Sequence, residues 1–309
     1  MSEIKPNVVL IGAAKAGTTS LYNYLLPHPQ VFLPRERKEI NYLAGVNQTV
    51  HSEEEYLSLY KSAASYPVRM DISTSYIYEK SAAQKIKAFL GPDVKVVAFL
   101  RNPVEASHSL WKQMRHYGGE TLSFEAALDA ETARRNDPMI RASLSGWDAN
   151  YFYTDRYIYA PQLQRYYDVF PAAQIKIFIY EEFFNDLERG WKELCAFLDI
   201  SSGFRPSNFG SVYNPAAAGR KSELIHNLIH KQMAVKKLVT WAIPEKTKTW
   251  LRIWLDDVNK KHDTAETLSG NMRKQLKDVF KNDVRQLERL LNKSLEKSWL
   301  DSYAETNAE

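Results

Sequence analysis

Short apolar runs alternate with helical patterns along the first two thirds of the chain. Three runs, Val8–Ile11, Val94–Leu100 and Ile175–Tyr180, are rich in β-branched and aromatic residues and predict buried strands. The segments between them, such as SAAQKIKAFLG and PQLQRYYDVF, have the period of amphipathic helices. Strands that alternate with helices predict an α/β fold, with a central parallel sheet flanked by helices. Ligands of such sheets bind at the carboxyl ends of the strands, so the residues after each run are the functional candidates.

The strand pattern ends near residue 221. Residues 221–300 are predicted to be mainly helical, and SGNMRKQLKDVFKNDVRQLERLLNK has the apolar stripe of one long helix. The sequence shows no internal repeat and no low-complexity linker. We therefore expect a single domain over residues 1–300, with a frayed tail at 301–309.

The composition and net charge of the chain indicate which kinds of partner and which cellular compartment to expect. The chain has 309 residues, and its 41 Lys and Arg against 37 Asp and Glu give a net charge of +4. This mild balance, without a long basic block, argues against a nucleic-acid partner. The single cysteine, Cys195, excludes an intramolecular disulfide. The first residues do not resemble a secretion signal and no apolar stretch reaches the roughly 20 residues that span a bilayer, so we expect a cytoplasmic protein without a transmembrane segment.

The loop after the first predicted strand has the layout of a phosphate-binding loop. Gly12 and Gly17 have the spacing of the P-loop, but Thr18 stands where an ATPase has its lysine, and Lys15 lies inside the loop instead. Backbone N–H groups of such a loop and of the following helix form an anion site. Lys15 would stabilise charge on a leaving-group oxygen. The expected phosphate-binding residues are Ala14, Lys15, Ala16, Gly17, Thr18, Thr19 and Ser20.

A second anion site is predicted after the second strand. The segment FLRNPVEASHS places Arg101 at the strand end, Pro103 in the first turn of a helix, and Ser109 on that helix. A guanidinium and a hydroxyl suit a second phosphate. Two anion sites at neighbouring strand ends indicate a ligand with two separated phosphates.

These paired motifs resemble the sulfotransferases that use PAPS, 3′-phosphoadenosine 5′-phosphosulfate. GAAKAGTTSL is similar to the family's phosphosulfate loop, and FLRNPVEASHS to its 3′-phosphate motif. Three further segments resemble the bacterial and heparan-sulfate-type branch: LLPHPQVFLPRERKEINYL, RYIYAPQLQRYYDVFPAAQIKIFIYEEF and VFKNDVRQLERLLNKSLEKSW. The resemblance covers most of the chain and implies a P-loop-like fold.

The resemblance also implies a reaction and a cofactor site. In this family a hydroxyl or amine attacks the sulfur of PAPS in line, adenosine 3′,5′-bisphosphate (PAP) leaves, and no metal is required. The implied contacts are the loop residues and Lys15 for the phosphosulfate, and Arg101 and Ser109 for the 3′-phosphate. Tyr180 is expected on the cofactor, and Arg220 and Lys221 in a late loop that covers its 3′-phosphate and adenine side.

The general base has more than one candidate. Glu39, in RKEINYL, matches the glutamate that deprotonates the acceptor in the heparan-sulfate-type branch. Glu39 could instead be a structural ion-pair partner of Lys38 or Arg37. His108 and His116 are rival bases, because the cytosolic branch uses a histidine, and His116 is kept as a catalytic candidate.

The acceptor side departs from the family pattern. In DISTSYIY, Ile72 stands where the family often has a lysine. This lost charge favours a neutral or cationic small acceptor with a hydroxyl, such as a natural product, over a polyanionic glycan. The expected acceptor-contacting residues are Asp71, Ser73, Tyr76, Tyr157 and Tyr159.

Other acceptors and other functions also fit parts of the sequence. A carbohydrate or lipid acceptor stays open, as does a non-catalytic PAPS-binding module. Glu181 and Glu182 after the third strand keep a nucleotide kinase open, although the missing P-loop lysine argues against it. His226 and His230 have metal-like spacing but no evident third ligand, so we expect no metal site. The oligomeric state, and any membrane contact of the Trp-bearing helical stretch, stay open.

Overall fold

The computed structural model describes residues 3–211, 219–220, 260–261 and 267–301. A central sheet of five parallel strands organises this part of the chain. Its strands are β1 Val8–Gly12, β2 Val31–Phe32, β3 Val68–Ile72, β4 Lys95–Leu100 and β5 Ile175–Ile179. They lie in the order β2-β3-β1-β4-β5. The predicted α/β fold is confirmed.

Helices cover the sheet and leave its central strands without contact with solvent. Every residue of β1 is buried, and so is β4 beyond its first residue. A parallel sheet buried on both faces requires strands that are apolar throughout, which explains the uninterrupted VVLI and VVAFL. The described α-helices are α1 Thr18–Leu25, α2 Glu53–Ser58, α3 Ala82–Leu90, α4 Pro103–His116, α5 Phe124–Asp129, α6 Glu131–Asn136, α7 Pro138–Ser143, α8 Tyr159–Tyr167, α9 Tyr180–Asn185, α10 Leu187–Leu198 and α11 Gly270–Leu291.

β2 and β3 do not have the apolar pattern from which the other strands were predicted. β2 has only two residues, and β3, VRMDI, carries Arg69 and Asp71 within its run. Asp71 is nevertheless fully buried, because hydroxyl groups satisfy its carboxylate. Because β3 contains Arg69 and Asp71, it does not form an apolar run and is not predicted as a strand from the sequence.

The C-terminal helix closes the fold near the strand ends. The carboxylate of Asp283 in α11 accepts hydrogen bonds from the backbone N–H groups of Tyr159 and Ala160, at 2.7 and 2.9 Å, at the start of α8. Trp299 is fully buried, and its carbonyl accepts a bond from Asn102 directly after β4, at 2.8 Å. The end of the described chain thus fixes the start of α4.

Two short strands, β6 Gly219–Arg220 and β7 Lys260–Lys261, form an antiparallel pair. Several residues discussed from the sequence lie outside the described part of the chain. They are Lys221, the histidines at 226 and 230, the tryptophans between 241 and 254, and the tail from residue 302. Across the described ranges, no helix is long and apolar enough to cross a membrane.

Candidate active site

A cavity of about 650 Å³ opens where β1, β3 and β4 end. Its wall includes nine residues predicted to bind the cofactor: Ala14, Lys15, Gly17, Thr18, Thr19, Ser20, Arg101, Ser109 and Tyr180. Ala16 is fully buried and lies under the loop instead. Residues from two strand ends that are far apart in sequence therefore meet in one site.

The loop between β1 and α1 can form only with glycine at position 17. Gly17 has φ +79° and stands at the N-terminus of α1. A Cβ at this position would lie 2.4 Å from the ring of Phe184 and 3.0 Å from that of Tyr180. The close approach keeps both rings against the loop and leaves the N-terminus of α1 facing the cavity.

We expect Gly17→Ala to lower the free energy of unfolding by about 2–4 kcal/mol, from left-handed backbone strain and the clash with Phe184. The matched control is Gly146→Ala, because Gly146 has φ +77° but open space around an added Cβ. This control should lose only the backbone contribution, about 1–2 kcal/mol. Chemical denaturation of both variants measures the difference, and equal losses would show that the contact with Phe184 is unimportant.

Lys15 and Arg101 concentrate positive charge at one end of the cavity. Arg101 Nη1 donates to the carbonyl of Lys15 at 3.1 Å, and its guanidinium lies 4.9 Å from the ring of Tyr180. Burial, more than any other cause, lowers the pKa of Lys15 from 10.5 to about 8. The positive charges of Arg101, Lys38 and Lys112 act in the same direction. A bound anion would relieve this repulsion.

Glu39 lies on the wall of the same cavity, and its carboxylate accepts three hydrogen bonds. Its Oε2 accepts from the backbone N–H of Thr74 at 2.8 Å and from the Thr74 hydroxyl at 3.0 Å. Its Oε1 accepts from Lys38 Nζ at 2.8 Å, and this ammonium also donates to Thr18 Oγ1 at 3.3 Å. Lys38 therefore connects the carboxylate of Glu39 with the first residue of α1, next to the loop that follows β1. From the sequence Lys38 is only an ion-pair candidate for Glu39, and its position directly before Glu39 is the one signal for this connecting role.

The far wall of the cavity comes from the segment between α7 and α8. Its residues include Trp147, Asn150, Tyr151 and Arg156. Asn150, Tyr151 and Arg156 belong to the Tyr-rich block NYFYTDRYIYAPQ, in which only Tyr157 and Tyr159 are acceptor candidates from the sequence. This segment therefore adds polar and aromatic side chains to the cavity wall.

The sulfotransferase domain family matches residues 5–288 of the sequence. The chain belongs to this family. The sulfotransferase from Alicyclobacillus acidocaldarius is 25% identical and superimposes with a TM-score of 0.69, over 96% of this chain and 98% of that one. The resemblance to sulfotransferases predicted from the paired motifs is confirmed, because the chain has both the family signature and the fold of a sulfotransferase domain.

Relatives in animals match a smaller share of the chain. The bifunctional heparan sulfate N-deacetylase/N-sulfotransferase 4 of Mus musculus is 25% identical over 224 residues, which are 65% of this chain and 23% of that protein. The corresponding enzyme 2 of Bos taurus is 27% identical over 183 residues, 56% of this chain and 19% of that protein. The chain thus matches less than a quarter of the length of these relatives.

Neither histidine candidate is on the described cavity wall. His108 is buried against Trp111 and Phe124, with ring centroids 5.4 and 5.0 Å away. His116 is the last residue of α4, and its ring lies 5.7 Å from that of Tyr117. The described cavity wall contains Glu39 and no histidine, so the geometry favours Glu39 over His116 as a base.

Asp71, Ser73 and Tyr76 do not lie on the cavity wall, and their expected contact with the acceptor needs correction. All three side chains are fully buried. Asp71 accepts hydrogen bonds from the hydroxyls of Ser73 at 2.6 Å, Tyr76 at 2.8 Å and Tyr56 at 2.9 Å. Burial raises the pKa of Asp71 to about 6. Ser73 in turn accepts from the backbone N–H of Asn41 at 2.9 Å, so this cluster positions the loop that carries Glu39.

Tyr157 and Tyr159 also lie behind the site and do not line the acceptor space. Both are fully buried. The Tyr159 hydroxyl donates to the carbonyl of Arg101 at 3.1 Å, and that of Tyr157 to the carbonyl of Ala14 at 3.4 Å. They support the two anion-type loops from beneath, because aromatic bodies fill the core while their hydroxyls satisfy loop carbonyls.

The remaining predicted residues lie in the late segment. The backbone of Arg220 pairs with Lys260 in the short β6–β7 ribbon, and Lys221 lies outside the described residues. Within the described ranges, no group of three or more His, Cys, Asp or Glu side chains could hold a metal ion.

Proposed function

We propose that this sulfotransferase moves the sulfuryl group of PAPS to a hydroxyl of a small-molecule acceptor. The observation that carries the proposal is the meeting of Lys15, Arg101 and Glu39 in one cavity. Two basic side chains at adjacent strand ends suit the two phosphates of PAPS, which are separated by a nucleoside. A carboxylate beside them suits deprotonation of an acceptor.

The residues on the cofactor side fit this ligand. Loop N–H groups and the hydroxyl-bearing residues Thr18, Thr19 and Ser20 line the cavity at the start of α1, where a 5′-phosphate would bind. Arg101 and the buried Ser109 are available to a 3′-phosphate. The ring of Tyr180, already under the guanidinium of Arg101, would hold that group in place.

In the proposed mechanism the chain supplies positioning, charge neutralisation and a base. PAPS supplies an activated sulfuryl group, whose bond to the 5′-phosphate oxygen breaks as the bond to the acceptor oxygen forms. Lys15 neutralises the charge that develops on the bridging oxygen. Glu39 takes the proton of the acceptor hydroxyl, while Thr74 keeps the carboxylate oriented. The product is a sulfate ester, and PAP is released.

A kinase receives less support from the same site. Glu181, one of the residues that kept this alternative open, accepts hydrogen bonds from the backbone N–H of Asn102 at 2.9 Å and from Trp299 Nε1 at 3.2 Å. It is therefore engaged in fixing the start of α4.

Calorimetric titration with PAP, with ATP–magnesium as the control ligand, tests the proposal. Wild type is expected to bind PAP at micromolar concentration and ATP–magnesium much more weakly. Arg101→Ala should weaken PAP binding about 30-fold, because it removes a charge-assisted bond to the 3′-phosphate. The matched control is Arg115→Ala, which removes an exposed arginine from α4 outside the cavity wall.

Tighter binding of ATP–magnesium, or an unchanged affinity of Arg101→Ala for PAP, would refute the two-phosphate site. Once PAP binding is established, release of PAP from PAPS is the assay for a screen of hydroxyl acceptors. Tight PAP binding without turnover of any acceptor would favour the non-catalytic module.

A further inference from the structure

Arg156 is a buried cation in the wall of the cavity, close enough to Glu39 for the charge of that carboxylate to act on it. Its side chain is part of the segment between α7 and α8, and the residue is only 4% exposed. Burying a guanidinium is costly unless an anion or several hydrogen bonds compensate for lost water. Its surroundings therefore decide what it can bind.

Arg156 lacks a carboxylate partner among the described residues. Its Nη1 donates to Asn150 Oδ1 at 3.0 Å, and its guanidinium lies 4.3 Å from the centroid of the Trp147 ring. Arg134 shows the usual arrangement for comparison. It is similarly buried, at 7% exposed, and forms a two-point ion pair with Glu120 at 2.7 and 3.1 Å.

The carboxylates of Glu39 and Glu79 attract Arg156 from a distance, but neither forms an ion pair with it. The charged side chains among the described lining residues are Lys15, Lys38, Glu39, Arg101 and Arg156. In the proposed complex Lys15 and Arg101 face the two phosphates of PAP, and Glu39 is bound to Lys38 at 2.8 Å. Burial lowers the pKa of Arg156, but an arginine keeps its proton at neutral pH. Arg156 therefore has no ion-pair partner among the described residues, although it lies close enough to Glu39 for that carboxylate to act on it.

We propose that Arg156 binds a carboxylate or similar oxyanion of the acceptor, so that the substrate carries an acidic group as well as the hydroxyl that is sulfated. This inference rests on the proposed function and names its substrate class. A planar guanidinium with several free N–H directions suits two-point binding of a carboxylate. Trp147 holds the guanidinium by its ring face, which orients those directions without neutralising the charge.

The proposal reverses the preference for a neutral or cationic acceptor that Ile72 suggested. Arg156 supplies a positive charge from a different element of the fold, so the missing lysine at position 72 does not leave the acceptor side uncharged. Ile72 itself is buried in β3, at 1% exposed, and faces no ligand.

Binding of matched phenols to the full chain saturated with PAP tests this assignment. The probes are 4-hydroxyphenylacetate and 4-hydroxybenzoate, each compared with its neutral amide, and the affinities are measured by calorimetry. Wild type is expected to bind at least one acid about tenfold or more tightly than its amide. Arg156→Gln should remove that preference and leave the affinity for PAP within about twofold.

The matched control is Arg135→Gln, because Arg135 pairs with Asp155, next to Arg156, but is exposed and outside the cavity wall. It should keep the preference for the acid. Arg156→Lys keeps the charge, and is used alongside the glutamine variant in case that variant unfolds. It should retain part of the preference.

Equal binding of acid and amide to wild type, or no binding of either acid, overturns the proposal without any variant. A preference that survives Arg156→Gln, or a large loss of PAP affinity in that variant, also overturns it, because Arg156 would then serve another group or the cofactor. Failure of wild type to bind PAP is a different result, and it refutes the proposed function itself.

Discussion

Glu39→Gln is expected to reduce kcat about a thousand-fold, with PAP affinity changed by no more than about threefold. Glutamine has the same size, and its carbonyl can still accept the bond from the backbone N–H of Thr74. It cannot take a proton from the acceptor, so the loss falls on the chemical step. Steady-state release of PAP from PAPS, together with calorimetric titration of PAP, separates the two quantities.

The competing interpretation of Glu39 is a structural ion pair with Lys38, and stability distinguishes it from a base. A structural role predicts a lower melting temperature for Glu39→Gln and little change in kcat of the folded fraction. Glu55→Gln provides the control, because Glu55 forms a comparable half-exposed ion pair with Arg37 at 3.1 Å, outside the cavity wall. This control should leave kcat within about twofold, since exposed ion pairs contribute little.

The cofactor side of the site could be predicted because its determinants are local in sequence. Gly12, Lys15 and Gly17 lie within one loop, and Arg101 and Ser109 within one strand–helix junction. Loop and helix N–H groups need no distant residue to form an anion site. The fold class followed from the same local signals, since β1, β4 and β5 are apolar runs.

The acceptor side could not be predicted because its contacts join distant segments. Thr74 binds Glu39 across 35 positions, and Arg156 reaches the cavity from a segment without a regular period. Tyr157 and Tyr159 were expected on the acceptor from their number and type. Nothing in their spacing indicates that they face the core and bind loop carbonyls. Asp71 was expected on the acceptor because an acidic residue near a strand end suggests a ligand contact. The sequence does not show the buried hydroxyl groups that bind its carboxylate.

Lys15→Met is expected to lower kcat about 100- to 1,000-fold, the usual cost of removing one group that stabilises developing negative charge. Methionine fills a similar volume in the loop and removes the ammonium. Because the ammonium also attracts the ground-state phosphate, the affinity for PAP should fall as well, but by less than kcat. Single-turnover release of PAP, measured with saturating PAPS, isolates the chemical step from product dissociation.

The pH dependence of PAP binding provides an independent test of Lys15. Its pKa of about 8 in the ligand-free protein means that it loses its charge as the pH rises through 8. Wild-type affinity for PAP should therefore decrease above pH 8, by at most about tenfold per pH unit, and Lys15→Met should lack this decrease. The stability of the ligand-free protein depends on pH in the opposite direction. Between pH 8 and 10.5 the unfolded chain binds more protons than the folded chain, so Lys15 makes the free energy of unfolding rise with pH in this range.

Lys112→Met is the control for this pH test, because Lys112 adds to the positive potential at Lys15 from outside the cavity wall. It should keep the decrease in PAP affinity and move it to slightly higher pH, since one repelling charge is gone. If Lys15→Met and wild type lose affinity in parallel above pH 8, another group carries the charge that binds the phosphate. Loss of the decrease in Lys112→Met alone would assign that charge to α4 and not to the loop.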